Sequence, residues 1–198
     1  MNRFSITALR TMAVAAILFL APAANAGTIA LVPSTASVTE GSTFLIDVVA
    51  SDLQLSGFDL GLTFNPARVS FGVADIAFGT ALGSSLQIPT LGLDTLQLYE
   101  VSFADPSQLA DNQTGSFKLA TITLTALSPG IAVFSLSDYG LSDLSDPPYL
   151  ITGTTLTGTE VTVNAASPPP ASDVPEPSSL FLVLAGCGAL ICGRLRRN

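Results

Sequence analysis

Hydrophobic and polar positions alternate through the middle of the chain. In GFDLGLTF, Gly57 to Phe64, the residues Phe58, Leu60, Leu62 and Phe64 share one parity; Asp59, Gly61 and Thr63 take the other. Successive strand side chains point to opposite faces, so this period of two predicts a half-buried strand. Asn65-Pro66 ends it, because proline fixes φ and donates nothing to a ladder. TFLIDVVA, Thr43 to Ala50, reads as a mostly buried strand. DTLQLYEVSF, Asp94 to Phe103, changes parity midway, with Leu96 and Leu98 on one face and Tyr99, Val101 and Phe103 on the other. That switch predicts either a β-bulge near Tyr99 or a strand covered on both sides. FKLATITLTAL (Phe117 to Leu127) and IAVFSLS (Ile131 to Ser137) flank Ser128-Pro129-Gly130, which reads as a hairpin turn. TTLTGTEVTVN, Thr154 to Asn164, closes the set. Eight or nine short strands, frequent turn signals and little that looks helical predict an antiparallel β-sandwich.

The two ends follow other patterns. Asn2, Arg3 and Arg10 surround a short basic region, MAVAAILFLAPAANA supplies an apolar core, and Ala24-Asn25-Ala26 gives the small-x-small pattern that signal peptidase accepts. The expectation is a bacterial secretory signal over 1–26, cut after Ala26, and hence an exported protein. After Asn164 the composition changes to AASPPPASD, whose prolines favour an extended spacer over 166–173. Leu180 to Cys192 is then an almost unbroken apolar run of 13 residues. As a helix it rises roughly 20 Å, against a hydrocarbon core of about 30 Å. Even a span stretched to about 179–193 is short, and Gly186, Gly188 and Gly193 weaken it as a helix. Arg194, Arg196 and Arg197 orient it with its C-terminal end cytoplasmic. Pro175-Glu176-Pro177 then lies at the outer face, held extended by its prolines and presented as a protease would bind it. On physical grounds this tail fits a permanent anchor as well as a removable one of the glycolipid-anchor type.

Charge and composition narrow the chemistry. The chain has 7 Lys+Arg and 15 Asp+Glu, but between residues 27 and 165 only Arg68 and Lys118 face thirteen carboxylates. A domain of net charge −11 repels phosphate backbones, which excludes nucleic acid as a partner. Histidine is absent, and the two cysteines, Cys187 and Cys192, lie in the C-terminal run. Ser-His-Asp and Cys-His catalysis and His/Cys zinc sites are therefore excluded from the domain. No pair of acids stands out for glycoside hydrolysis, so the expectation is a non-enzyme. Asp138, Asp143 and Asp146 share one loop-rich stretch and form a weak candidate for Ca²⁺, without the regular spacing of an EF-hand loop. Tyr99, Tyr139 and Tyr149 are the plausible platforms for a sugar, although core or turn positions suit each of them better. TGTTLTGTEVT, Thr152 to Thr162, lacks the in-register repetition that a flat threonine array needs, and threonine favours exposed strand positions in any case.

Two resemblances extend this reading. Gly41-Ser42-Thr43-Phe44, then Gly57-Phe58 through Phe64-Asn65-Pro66, then Leu119-Ala120-Thr121-Ile122 resemble, in that order, the strand motifs of cohesin-like domains. These are the β-sandwiches of cellulosomal scaffolds, related to carbohydrate-binding modules. The resemblance implies a jelly-roll sandwich of nine strands over 27–165; it does not carry over a dockerin-binding surface. At the other end, Val174-Pro175-Glu176-Pro177, the short span and the terminal arginine cluster look like the PEP-CTERM sorting signal of Gram-negative bacteria, here 174–198. The two cysteines are no part of that motif. This second resemblance implies a precursor held transiently in the inner membrane and processed by an exosortase. The product goes to the cell surface or extracellular matrix, with exopolysaccharide or biofilm as its surroundings. The expected function is structural or adhesive; the alternatives are a carbohydrate-binding module proper and a carboxylate-based surface hydrolase.

Overall fold

The alternation of the central segments becomes two stacked sheets. A computed structural model describes residues 27–167, and the strands run in chain order as follows. They are β1 (Thr28–Pro33), β2 (Ser37–Thr39), β3 (Thr43–Ser51), β4 (Gly57–Thr63), β5 (Val69–Ser70), β6 (Ile76–Phe78) and β7 (Ser85–Leu91). Then come β8 (Thr95–Ser102), β9 (Ser116–Ala126), β10 (Gly130–Ser142), β11 (Thr155–Thr157) and β12 (Thr159–Asn164). One short helix, α1 (Pro106–Asn112), which the sequence pattern did not predict, starts with proline at a position that needs no donor. The first sheet has the order β11-β1-β3-β9-β5, with β6 also on β9; the second has the order β2-β12-β10-β4-β8-β7.

Each strand turns one parity inward. Ile29, Ile46 and Ile122 from the first sheet meet Leu60, Leu62, Leu96, Leu98 and Phe134 from the second, all at most 1% exposed. Two aromatic pairs bridge the sheets: Phe44 of β3 edge-on to Phe134 of β10, and Phe58 of β4 stacked on Phe78 of β6. Each fully buried side chain of this kind stabilises the fold by about 1.5–3 kcal/mol relative to exposure. Away from the apolar core, the buried Gln113 side chain takes the place of a strand. Its amide accepts from the Leu55 N–H at 2.6 Å and donates to the Leu55 carbonyl at 2.7 Å.

Several expectations change. β3 is not buried on both faces: Phe44, Ile46, Val48 and Ala50 point inward while Thr43, Leu45, Asp47 and Val49 point out. Ser128-Pro129-Gly130 does not close a hairpin, because β9 and β10 belong to different sheets. It is an arch between layers, stapled by Arg68, whose guanidinium donates to the Ser128 hydroxyl and to the Pro129 carbonyl. TTLTGTEVTVN is likewise two strands. At Gly158 the chain crosses from the first sheet to the second, so close to the Phe134 carbonyl that a Cβ would lie 2.4 Å from it. The sandwich is not wholly antiparallel either, since β1 pairs with β11 and β2 with β12 in parallel. Among the described residues no helix is long and apolar enough to cross a membrane. The expected signal peptide, the span at about 179–193, the sorting motif Val174 to Pro177, the arginines 194, 196 and 197, and Ala24 and Ala26 all lie outside the described residues.

Candidate protein-docking face

Neither of the expected alternatives holds for β8: there is no β-bulge at Tyr99, and the strand is not covered on both faces. β8 keeps unbroken register with β4 on one side and with β7 on the other. Its parity is therefore constant: Leu96, Leu98 and Glu100 are buried, and Tyr99 and Val101 point outward. β7 pairs Leu86 with Val101 and Ile88 with Tyr99, so these four side chains share the outer surface, with Phe103 just beyond the strand end. Leu86, Ile88 and Phe103 are exposed.

The neighbouring strands continue this surface with small residues. Asp59 and Gly61 of β4 lie opposite Tyr99 and Gln97, and Asp59 accepts both its hydrogen bonds at this face from the Gln97 amide, at 2.7 and 3.0 Å. β10 carries an irregularity between Asp138 and Gly140. The intervening Tyr139 lays its ring over Gly61, where an added Cβ would come within 2.6 Å of it, yet the tyrosine remains 65% exposed. Beside that ring a shallow concavity of about 300 Å³ is lined by Thr63, Thr90, Thr95 and Gln97. The face thus combines six apolar side chains (Leu86, Ile88, Tyr99, Val101, Phe103, Tyr139) with the carboxylate of Asp59. Lys118 lies on the other sheet and Arg68 is committed to its arch, so the second sheet's outer surface has no cation of its own.

The residues weighed from sequence fall as follows. None of the three tyrosines is in the core: Tyr99 is half-buried on the outer face, Tyr139 sits on the irregular strand, and Tyr149 is exposed in the loop after β10. Asp138, Asp143 and Asp146 are not brought together as a metal-holding group; among the described residues no such cluster of acids exists. Asp143 is instead consumed by its own loop. Its carboxylate accepts from the Tyr149 N–H at 2.8 Å, the Ser145 hydroxyl at 2.7 Å and the Ser145 N–H at 3.0 Å. These bonds, led by the Tyr149 amide, hold its pKa below the usual carboxylate range. The threonines of Thr152 to Thr162 divide between the sheets, with Thr155 and Thr157 beside β1 and Thr162 beside Ile131.

Sequence reasoning missed Glu100. It is 1% exposed and faces inward, opposite Phe58 on β4 and Gln87 on β7. Oε1 accepts from the Ser85 hydroxyl at 2.6 Å and from the Gln87 amide at 2.8 Å, while Oε2 is buried without a partner. Burial pushes this carboxyl above its ordinary range, and the bonds from Ser85 and Gln87 only partly offset that. The available signal was the run Ser85-Leu86-Gln87-Ile88, where the polar parity opposes the apolar one just as Glu100 opposes Tyr99 and Val101.

No family model matches the chain, and no curated protein matches it. Solved structures do. The fold is similar to a type II cohesin domain from the cellulosome of Acetivibrio cellulolyticus, with a TM-score of 0.56 and 14% identity, covering 70% of this chain and 95% of that one. It is similar to a non-cellulosomal cohesin from the hyperthermophilic archaeon Archaeoglobus fulgidus, with a TM-score of 0.55 and 12% identity, covering 70% and 91%. A chain of a type I cohesin–dockerin complex from Clostridium thermocellum gives a TM-score of 0.54 at 12% identity, covering 69% and 99%. At such identities the likeness is one of fold. The described domain is a cohesin-like β-sandwich, as the strand motifs led one to expect.

Proposed function

We propose that the protein is an exported, non-enzymatic docking module that holds a partner protein against the outer face of β10, β4, β8 and β7. The observation that carries this reading is the outward apolar surface of one sheet, where Leu86, Ile88, Phe103 and Tyr139 are exposed and Tyr99 and Val101 are half-buried. Contiguous exposed apolar surface on an otherwise acidic domain marks an interaction site. Solved relatives of this fold include cohesins in complex with dockerins, which supports a protein as the occupant. The C-terminal Pro175-Glu176-Pro177 motif, the short apolar run and the arginines support exosortase processing and delivery to the cell surface or exopolysaccharide matrix.

A photo-crosslinking residue at position 88, compared with one at 123 on the opposite sheet, tests the docking reading in producing cells. Adducts from position 88 alone are expected; equal labelling from both positions, or none from 88, overturns it. Mass spectrometry of the surface-exposed protein tests the sorting. A C-terminus near Pro175-Glu176-Pro177 is expected, and a chain intact to Asn198 overturns it.

The concavity beside Tyr139 favours one second reading, a glycan site. An aromatic ring flanked by threonine hydroxyls and a side-chain amide suits a sugar's apolar face and hydroxyl rim. Binding of the producer's own exopolysaccharide that is lost in Tyr139→Ala would establish it in place of protein docking.

A further inference from the structure

The buried Glu100 lies directly behind the proposed docking face, and its two hydrogen-bond partners both belong to β7. β7 is the edge strand of its sheet and carries Leu86 and Ile88. Among the described residues no strand pairs with its outer edge, so it is held by its ladder to β8 and by whatever grips its inward side chains. Ser85 and Gln87 supply that grip, and Glu100 receives both. We propose that Glu100 is a pH-sensitive latch: when protonated it fastens β7 to the sheet, and on ionisation it releases the strand and loosens the part of the docking face that carries Leu86 and Ile88.

The physical argument rests on Oε2. That oxygen is buried with no donor near it. As part of a neutral carboxylic acid it costs one unmade hydrogen bond; as part of a carboxylate it shares a buried charge that the bonds to Oε1 offset only in part. No charged group is placed to change this balance. Asp59 of β4 and Tyr99 of β8 are on the outer surface, and β7 carries no titratable residue. Asp75, in the helical turn Val73–Asp75 that packs against β7, is engaged with the Gly72 N–H at 2.7 Å. Asp105 heads α1, where its carbonyl accepts from Gln108 and Leu109. Within the closed sheet Glu100 therefore favours its neutral form, while in an opened β7 it meets water and ionises near the ordinary value of 4.5.

The sign of the effect follows. Below about 4.5 both states are protonated and the latch is fully engaged. Between that value and the higher one of the closed state, opening releases a proton, so the open fraction rises by up to about tenfold per pH unit. Above the closed-state value it levels off. The same alternation identifies the amides that report it. Phe103 donates to the Ser84 carbonyl and Gly92 to the Thr95 carbonyl, which makes Leu86, Ile88 and Thr90 the β7 residues bonded to β8.

The proposal extends the docking reading in its consequence, but the latch itself can be measured without any partner. Hydrogen exchange of the intact chain held in detergent, expressed as protection relative to the intrinsic rate at each pH, is followed from pH 4 to 8. Protection across Ser85–Leu91 is expected to fall with rising pH while that across Ser116–Ala126 stays level. In Glu100→Gln the β7 profile is expected to be flat. In Ser85→Ala, which removes a bond that favours the charged form, the fall is expected to extend to higher pH. Identical profiles in wild type and Glu100→Gln, or β9 falling together with β7, overturn the latch. If β7 titrates as stated but the crosslinker at position 88 finds no partner at any pH, the docking reading fails and the latch stands. If adducts form while β7 protection is flat, the latch fails and the docking reading stands.

Discussion

The two outer faces of this sandwich are built on equal cores and finished in opposite ways. On the first sheet, Thr121, Thr123 and Thr125 of β9 run beside Asp47, Leu45 and Thr43 of β3. Asp47 is engaged twice: by the Lys118 ammonium at 2.8 Å and by the Thr121 hydroxyl at 2.6 Å. The carboxylate of that face is satisfied within the chain, with Val32 and Leu45 as exposed apolar side chains beside it. On the second sheet the outward positions include Leu86, Ile88, Tyr99 and Val101 beside Asp59 and Gln97, the central strand offers Gly57 and Gly61, and the one inward carboxyl is only half satisfied. A surface whose polar groups already pair within the chain has little to offer a partner. A surface of unpaired apolar groups has its binding energy still to be realised.

The largest test of this contrast is that it should vanish beneath the surface. Leu98→Ala behind the second face and Ile122→Ala behind the first are each expected to lose roughly 2–5 kcal/mol in denaturant unfolding, because both leave cavities in one shared core. A much smaller loss at either site would mean that one layer is not packed as described. Next in size is docking. Leu86→Asp is expected to abolish crosslinking from position 88 and to weaken binding of an identified partner by about 2 kcal/mol or more, the scale of a central contact, while Thr123→Asp leaves binding unchanged. Equal losses from both would erase the distinction between the faces.

Acid and base should then act on the two sheets in opposite directions. Burial raises the pKa of the Asp47 carboxyl, but the bonds and charge of Lys118 and the bond from Thr121 outweigh it, so its pKa ends below the ordinary range. Its stabilisation is present above the ordinary aspartate value and is lost as pH falls through the lower folded value. Glu100 behaves inversely, its contribution being complete at low pH and lost as pH rises. Unfolding midpoints measured across pH should lose their acid-side fall in Asp47→Asn and their fall toward neutrality in Glu100→Gln. Smallest of all, Lys118→Ala is expected to cost about 0.2–1 kcal/mol, since the lysine is half exposed and its pair is screened by water. A larger loss would make the first face depend on its ion pair.

Much of this architecture could be read from alternation, and the failures share one cause. Phe58, Leu60 and Leu62 were placed correctly because one parity was apolar and the other was not. In β8 both parities are apolar, and the polar residue that breaks the tie, Glu100, is inside. Alternation says which residues share a face, but it assumes that the apolar face is the covered one. That assumption fails where a protein leaves apolar side chains for a partner, so the bulge invented for Tyr99 marked the candidate site itself. The arch at Ser128-Pro129-Gly130 and the crossing at Gly158 were missed for another reason. A tight turn and a sheet change use the same residues, and only the distant pairings of β10 with β4 and of β11 with β1 tell them apart.

The parallel pairing of the terminal strands has a mechanical meaning. β1 and β2 lie near the N-terminal side of the domain, β11 and β12 near its C-terminal side, and each early strand runs in the same direction as its late partner. A pull on the two ends in opposite directions therefore drags β1 along β11 and β2 along β12, lengthwise. Rupture then requires the three residue pairs of each clamp to give way together, whereas a hairpin under tension unzips one pair at a time. A module tethered by one end and loaded through the other is in this way closed by a shear lock rather than a zipper.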